Sequence, residues 1–163
     1  MNKLIMIAAV GKNGELGKDN DLIWHFKEDM KFFKEHTINH YILMGKNTFL
    51  SLPKLLKDRV HIVLSKSDYK FPEEVIVIKS IDEFENLRKN IEDDIYVIGG
   101  AKVYSEFINY ADMIYLTEID SVCKDADVFF PKIKYEDYDR KVLKEDSENG
   151  ISFKHILYKK KGL

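Results

Sequence analysis

Six short apolar runs, rich in β-branched residues, recur along the chain at residues 4–10, 41–44, 60–64, 75–78, 95–98 and 113–119. Each is nearly continuous rather than alternating, the pattern of strands covered on both faces. Helical patterns lie between them. Residues 25–37 carry Phe26, Met30 and Phe33 at spacings of four and three, with Lys27, Glu28, Lys31, Lys34 and Glu35 on other faces. Residues 46–52 predict a short helix that Pro53 stops. Residues 81–91 open after Ser80, and the series Ser80, Ile81, Asp82, Glu83 matches a capping box. Residues 101–109 follow a Gly-Gly pair, and after Asp112 the character changes. There, 139–144 and 153–160 read as two antiparallel strands around a turn at 147–150. Alternating strands and helices imply an α/β fold: a mostly parallel central sheet, flanking helices, and a C-terminal antiparallel hairpin at one edge.

The 163 residues fit one domain spanning 1–163, with no internal repeat and no linker. With 45% hydrophobic residues and only three prolines, the chain is neither disordered nor collagenous. Lys and Arg total 26 against 28 Asp and Glu, so net charge gives no ground to expect nucleic acid or an anionic membrane as partner. Arginine occurs only at 59, 88 and 140, which makes each one a question. The lone Cys123 cannot form an intrachain disulfide and fits a reducing compartment. No apolar run approaches the roughly 20 residues of a membrane span. The start could pass for a signal peptide, but no small-x-small site follows, and residues 11–21 are turn-like. The expectation is a buried first strand and a cytoplasmic protein.

Three segments could carry chemistry. In the first, an apolar strand ends at Ile98, passes through Gly99 and Gly100, and runs directly into a helix at Ala101. Such a turn either packs strand tightly against helix or lets phosphate approach backbone N–H groups at the helix start. In the second, Asp29 shares a helix face with Phe26, Met30 and Phe33. An acid there either reaches solvent at the stripe's edge or lies at the floor of an apolar pocket, accepting N–H donors from a flat heterocycle. In the latter case, desolvation would raise its pKa. In the third, Met44 to Thr48 is again strand, glycine and helix start, and the strand at 60–64 ends in Ser65 and Lys66. These ends are either solvated or form an anion site. Gly11, Gly14 and Gly17 have the wrong spacing for a dinucleotide fingerprint and suggest a mobile loop. The five histidines lack metal spacing, and no G-x-S-x-G elbow is present.

Together these segments resemble the dihydrofolate reductase family, in order and along essentially the whole chain. The resemblance is carried by Ile7-Ala8-Ala9, Leu16 to Asn20, Leu22-Ile23-Trp24, Asp29 with Phe33, Met44 to Phe49, and Arg59. Leu64-Ser65, Ile98 to Tyr104, Leu116 to Ile119 and Asp127 to Pro131 complete it. Three positions depart from the family pattern. Ile23 stands where proline is usual before the tryptophan, Lys46 where arginine is common, and Ala126 where glycine is common.

The resemblance implies an enzyme in which NADPH gives hydride to C6 of 7,8-dihydrofolate with protonation at N5, yielding tetrahydrofolate for one-carbon and thymidylate metabolism. It implies a catalytic group of Asp29, Trp24, Leu22 and Thr117, with Asp29 orienting the pterin, Thr117 holding Asp29, and water delivering the proton. Substrate walls would come from Ile7, Ala8, Met30, Phe33, Leu52, Leu56 and Ile98, with Arg59 gripping the glutamate α-carboxylate as a bidentate fork. Cofactor contacts would come from Ala9, Leu16, Gly17, Asn20, Gly45, Lys46, Asn47, Thr48, Leu64, Ser65, Lys66, Gly99, Gly100, Ala101, Lys102, Val103 and Tyr104. Ser65 and Lys66 would lie near the adenosine 2′-phosphate, and residues 14–21 would form a lid. The family commonly carries a cis peptide between the twin glycines, binds antifolate inhibitors, and is often monomeric. Two alternatives stand beside it: a riboflavin-pathway reductase of the same fold, which Asp29 after Trp24 together with Arg59 argues against, and a non-catalytic nucleotide- or folate-binding module.

Overall fold

The computed structural model describes residues 2–18 and 21–163. In chain order its elements are β1 (Leu4–Val10), β2 (Glu15–Lys18), β3 (Asp21–Leu22), α1 (Lys27–Thr37), β4 (Tyr41–Gly45), α2 (Lys46–Ser51), β5 (Val60–Leu64) and β6 (Ile76–Ile78). They continue with α3 (Ile81–Arg88), β7 (Ile95–Gly99), α4 (Ala101–Phe107), β8 (Met113–Ile119), β9 (Val128–Phe129), β10 (Tyr138–Glu148) and β11 (Ile151–Lys160).

All six apolar runs lie in one eight-stranded sheet, ordered β10-β11-β8-β1-β7-β4-β5-β6. Pairing is parallel from β8 to β6 and antiparallel only where β11 meets β8 and β10. Two-sided burial accounts for the continuous runs. Along β1, Leu4 and Met6 enter one core with Leu43, Val97, Phe84 and Phe107, while Ile5 and Ile7 enter the other with Ile42, Met44, Val63 and Tyr96. Helices α3 and α4 cover the first face, and the aromatic side of α1 covers the second.

Local chemistry sets several boundaries. The Ser80 hydroxyl accepts the Glu83 N–H at 3.1 Å, and the Glu83 carboxylate turns back to accept the Lys79 N–H rather than that of Ser80. The closing hairpin turns on Asn149 and Gly150, whose φ of 54° and 78° is the left-handed pair that a two-residue turn between twisted strands requires. Its strands run further toward that turn than the apolar pattern suggests.

Two expectations are corrected. The described part of 11–21 is not simply a loop, because β2 pairs with β3 and with the distant β9 in a separate three-stranded sheet. A four-residue strand containing Gly17 has too little pattern to announce itself, and half its pairing comes from more than a hundred residues away. Helix α1 also begins two residues late, with Phe26 extended at its N-cap. Its packed face uses Phe32 and Phe33, while Met30 is 62% exposed. No described helix is long and apolar enough to cross a membrane.

Candidate active site

Strands β1, β4, β5 and β7 run parallel, so their carboxyl ends lie at one edge of the sheet. A cleft of about 1,800 Å³ opens there, lined by Ile7 to Ala9, Gly45, Leu64 to Lys66 and Ile98 to Gly100. One side is apolar, from Leu22, Met30, Phe33, Leu52, Leu56 and Ile98. The other gathers the start of α2 (Lys46, Asn47, Thr48) and the start of α4 (Ala101 to Tyr104), while Leu16 and Gly17 border it from the small sheet. Every expected substrate and cofactor residue is on this lining except Thr117, which is buried behind it, and Asn20, which lies outside the described residues.

Asp29 sits in the first turn of α1 with its side chain 25% exposed. The Thr117 hydroxyl donates to its Oδ1 at 2.6 Å. Burial pushes the carboxyl above the usual aspartate range, opposed first by that hydrogen bond and then by the charge of His155. Of the two readings of the helix face, the placement of Asp29 on the cleft lining, three-quarters buried, is nearer to the acid in an apolar pocket than to the acid reaching solvent.

The peptide between Gly99 and Gly100 is cis, and Gly99 has φ 132°. A Cβ on either glycine would stand 3.4 Å from the Thr48 hydroxyl, so bare backbone faces the first turn of α2. Gly45 serves close packing as well, because a Cβ there would lie 3.1 Å from Val103 Cγ2. Tyr104 uses its hydroxyl to donate to the Ile7 carbonyl at 2.7 Å, leaving its ring as wall. The N-caps of α2 and α4 are Gly45 and Gly100, which have no side chain to cap the first N–H groups.

Arg59 is the one arginine on the cleft. Arg88 binds Asn2 and Asp112, and Arg140 reaches Glu118 and Tyr158. The Arg59 Nε is buried without a hydrogen-bond partner among the described residues. Burial lowers the affinity of its guanidinium for its proton, against the charge of Asp58. The segment before it is held by His61, whose Nε2 accepts the Leu56 N–H at 3.1 Å.

The cleft has an electrostatic character that bulk composition conceals. Eight Lys or Arg side chains line it against four Asp or Glu, although the whole chain carries −2. Lys46 sits over the Tyr69 ring at 5.2 Å, and the buried Ser65 hydroxyl pairs with that of Ser67 at 2.9 Å. Lys31, Lys34, Lys57 and Lys79 join the lining without having been anticipated, because only the folded chain brings these separate turns together.

Trp24, expected in the catalytic group, is not on the cleft lining. Its ring packs against the cluster of Phe26, Ile119 and Phe153, in space left by Gly11, where a Cβ would lie 2.5 Å from the indole Cη2. One residue behind the site escaped the sequence entirely. His155 Nδ1 is 2.8 Å from the Thr117 hydroxyl and 3.9 Å from the Asp29 carboxylate. Its only sequence signal is strand alternation, and without the β11–β8 register that signal points to no partner.

A parallel α/β sheet with a cationic cleft at its strand ends and one desolvated acid on the cleft's apolar side has the features of a nucleotide-dependent oxidoreductase. Residues 3–160 match the family model described as dihydrofolate reductase. The chain is 33% identical over 158 residues to dihydrofolate reductase type 15 of Escherichia coli, covering 97% of this chain and 99% of that one. It is 31% identical over 161 residues to the dihydrofolate reductase of Haemophilus influenzae, covering 96% and 98%. The dihydrofolate reductase of Enterococcus faecalis, solved with NADP(H) and RAB-propyl, superposes with a TM-score of 0.88 at 28% identity, covering 98% of this chain and 96% of that one. The chain belongs to the dihydrofolate reductase family.

Proposed function

We infer that this chain reduces 7,8-dihydrofolate to tetrahydrofolate with NADPH, and that the two reactants meet between Asp29 and the Gly99–Gly100 bend. The observation that carries this reading is a single cleft with a desolvated carboxylate on its apolar side and uncapped helix starts on its cationic side.

The residues present fit NADPH. Free N–H groups at the starts of α2 and α4, with Lys46 and Lys102, suit the pyrophosphate. Lys66 and Ser65 beyond β5 suit the adenosine 2′-phosphate. When bound, NADPH supplies the hydride that goes to C6, while N5 takes a proton. On the other side, Asp29 accepts hydrogen bonds from the pterin amino group and ring N–H, which sets the ring's orientation and polarises it. Phe33, Ile7, Ile98 and Leu52 exclude water from its faces, and water reaches N5 from the open side of the cleft. Arg59 grips the glutamate α-carboxylate. Antifolate inhibitors compete for the same apolar side.

The direct test follows the absorbance of the reduced nicotinamide when the purified chain meets NADPH and dihydrofolate. Stoichiometric consumption is expected; binding of both without consumption would instead make the chain a sequestering module. For the cofactor, kcat/KM with NADPH should exceed that with NADH by roughly tenfold or more, as one or two charged hydrogen bonds to a phosphate provide. Lys66→Ala should shrink that ratio, and equal values in the parent protein would overturn the 2′-phosphate assignment. We further propose one domain over 1–163 acting as a cytoplasmic monomer. For the single domain, support comes from two cores that share one sheet. Sedimentation at working concentration tests the monomer.

A further inference from the structure

Behind Asp29 lies a buried polar chain that the reduction as described does not use. Strand β11 pairs His155 directly opposite Thr117 of β8. His155 is 1% exposed, and its ring lies flat on Phe32 of α1 at 4.1 Å and 5°, with Phe153 edge-on at 5.6 Å. The imidazole therefore has a fixed plane and a fixed direction for Nδ1. The Thr117 hydroxyl stands between two groups, 2.6 Å from Asp29 Oδ1 and 2.8 Å from His155 Nδ1. A hydroxyl has one proton and can donate to only one of them.

Two arrangements satisfy the chain. If His155 carries its proton on Nδ1, it donates to Thr117, and Thr117 donates to an ionised Asp29. If His155 carries it on Nε2, Thr117 must donate to Nδ1 and has only a lone pair for Asp29, an arrangement that requires a protonated acid. We propose that His155 is a positioning residue: by donating from Nδ1 it commits the Thr117 proton to Asp29 and holds that acid in the accepting form the pterin needs. This rests on Asp29 being the pterin's anchor.

The surroundings favour a neutral ring. Groups acting on it come from each packed element: Asp29 and His36 from α1, and Lys144 and Asp146 from β10. Strand β8 adds Thr117 and Tyr115, whose ring contacts that of His36 at 4.5 Å. Burial lowers the proton affinity of His155, Asp29 opposes this, and Lys144 and His36 add to it while Asp146 offsets them. Lys144 is drawn aside by Glu28 at 3.4 Å and Asp146 at 3.8 Å.

Nitrogen NMR of histidine-labelled enzyme should find His155 as the Nδ1–H tautomer. His155→Phe keeps an aromatic ring on Phe32 but removes the donor. It should move the carboxyl-carbon titration midpoint of Asp29 upward and slow single-turnover hydride transfer at neutral pH about tenfold, the loss of one hydrogen bond that supports a charge. NADPH affinity should stay the same. His155→Asn puts a non-titrating N–H donor at the same distance from Cβ and should restore both midpoint and rate. An Nε2–H tautomer, a His155→Phe enzyme superimposable on the parent, or a failure of His155→Asn to restore would each overturn the proposal. Should His155→Phe not fold, the tautomer and the His155→Asn titration still decide it. Asp29→Asn run alongside separates the two claims: if it keeps the hydride rate, the anchor reading itself fails, whereas a loss there with no effect at His155 removes only this inference.

Discussion

Asp29→Asn is expected to lose hydride transfer by about two orders of magnitude or more at neutral pH while binding NADPH as before. The amide matches the carboxylate in size and can still accept from Thr117, so the fold should survive. Its NH2, however, meets the pterin's own N–H donors head-on. The same substitution should stabilise the unliganded protein. Burial raises the Asp29 pKa in the folded state, so its contribution to stability is fully present only below the unfolded aspartate value and is lost as pH rises through the folded one. At neutral pH the charged group is therefore a net cost, and Asp29→Asn should melt a few degrees higher, for about 1 kcal/mol in a chain of this size. The two melting curves should converge under acid conditions. Single-turnover rates and a pH series of thermal melts check both halves, and an unchanged hydride rate at neutral pH would remove Asp29 from its role.

Arg59→Ala should raise the KM for dihydrofolate roughly thirtyfold, about 2 kcal/mol, with little change in kcat. The physical basis is a guanidinium on the cleft wall whose Nε has no hydrogen-bond partner among the described residues, so that an arriving carboxylate meets a fork with a donor still to satisfy. A dihydropteridine that lacks the glutamate tail should not distinguish the variant from the parent, which localises the effect to the tail. The melting temperature should hold or rise, since a partly desolvated cation is removed from the free protein. An unchanged KM would place the tail elsewhere.

Much of this was written in short-range pattern. Continuous apolar runs announced a sheet covered on both faces, and β8 begins and ends at the residues its run suggested. The capping series at Ser80 is local chemistry and gave the start of α3, whereas the turn read at 147–150 closes on Asn149 and Gly150 between strands that reach further toward it than their pattern suggests. Asp29 stood out because an acid on an apolar helix face needs a reason. What stayed hidden depends on contacts between distant segments. The β2–β9 pairing joins residues more than a hundred apart, and the stripe through Met30 misjudged α1 because Phe32 found His155 as a partner. The concentration of cations in the cleft was invisible for the same reason, since Lys34, Lys57 and Lys79 come from unrelated turns that only the fold assembles.

The small sheet ties the cofactor side of the cleft to residues 123–130, of which Val128 is on the cleft lining. Glu15, 1% exposed, accepts the Asn13 N–H at 2.6 Å and the Cys123 N–H at 2.7 Å. The Gly17 carbonyl accepts from Asp127 N–H at 3.1 Å, and that of Gly14 from Phe130 N–H at 2.9 Å. The stretch bearing Leu16 and Gly17 is thus moored at both ends to residues 123–130. A change at Ala126, which does not itself border the harbour, would travel down the mooring lines and alter how quickly cargo is exchanged there.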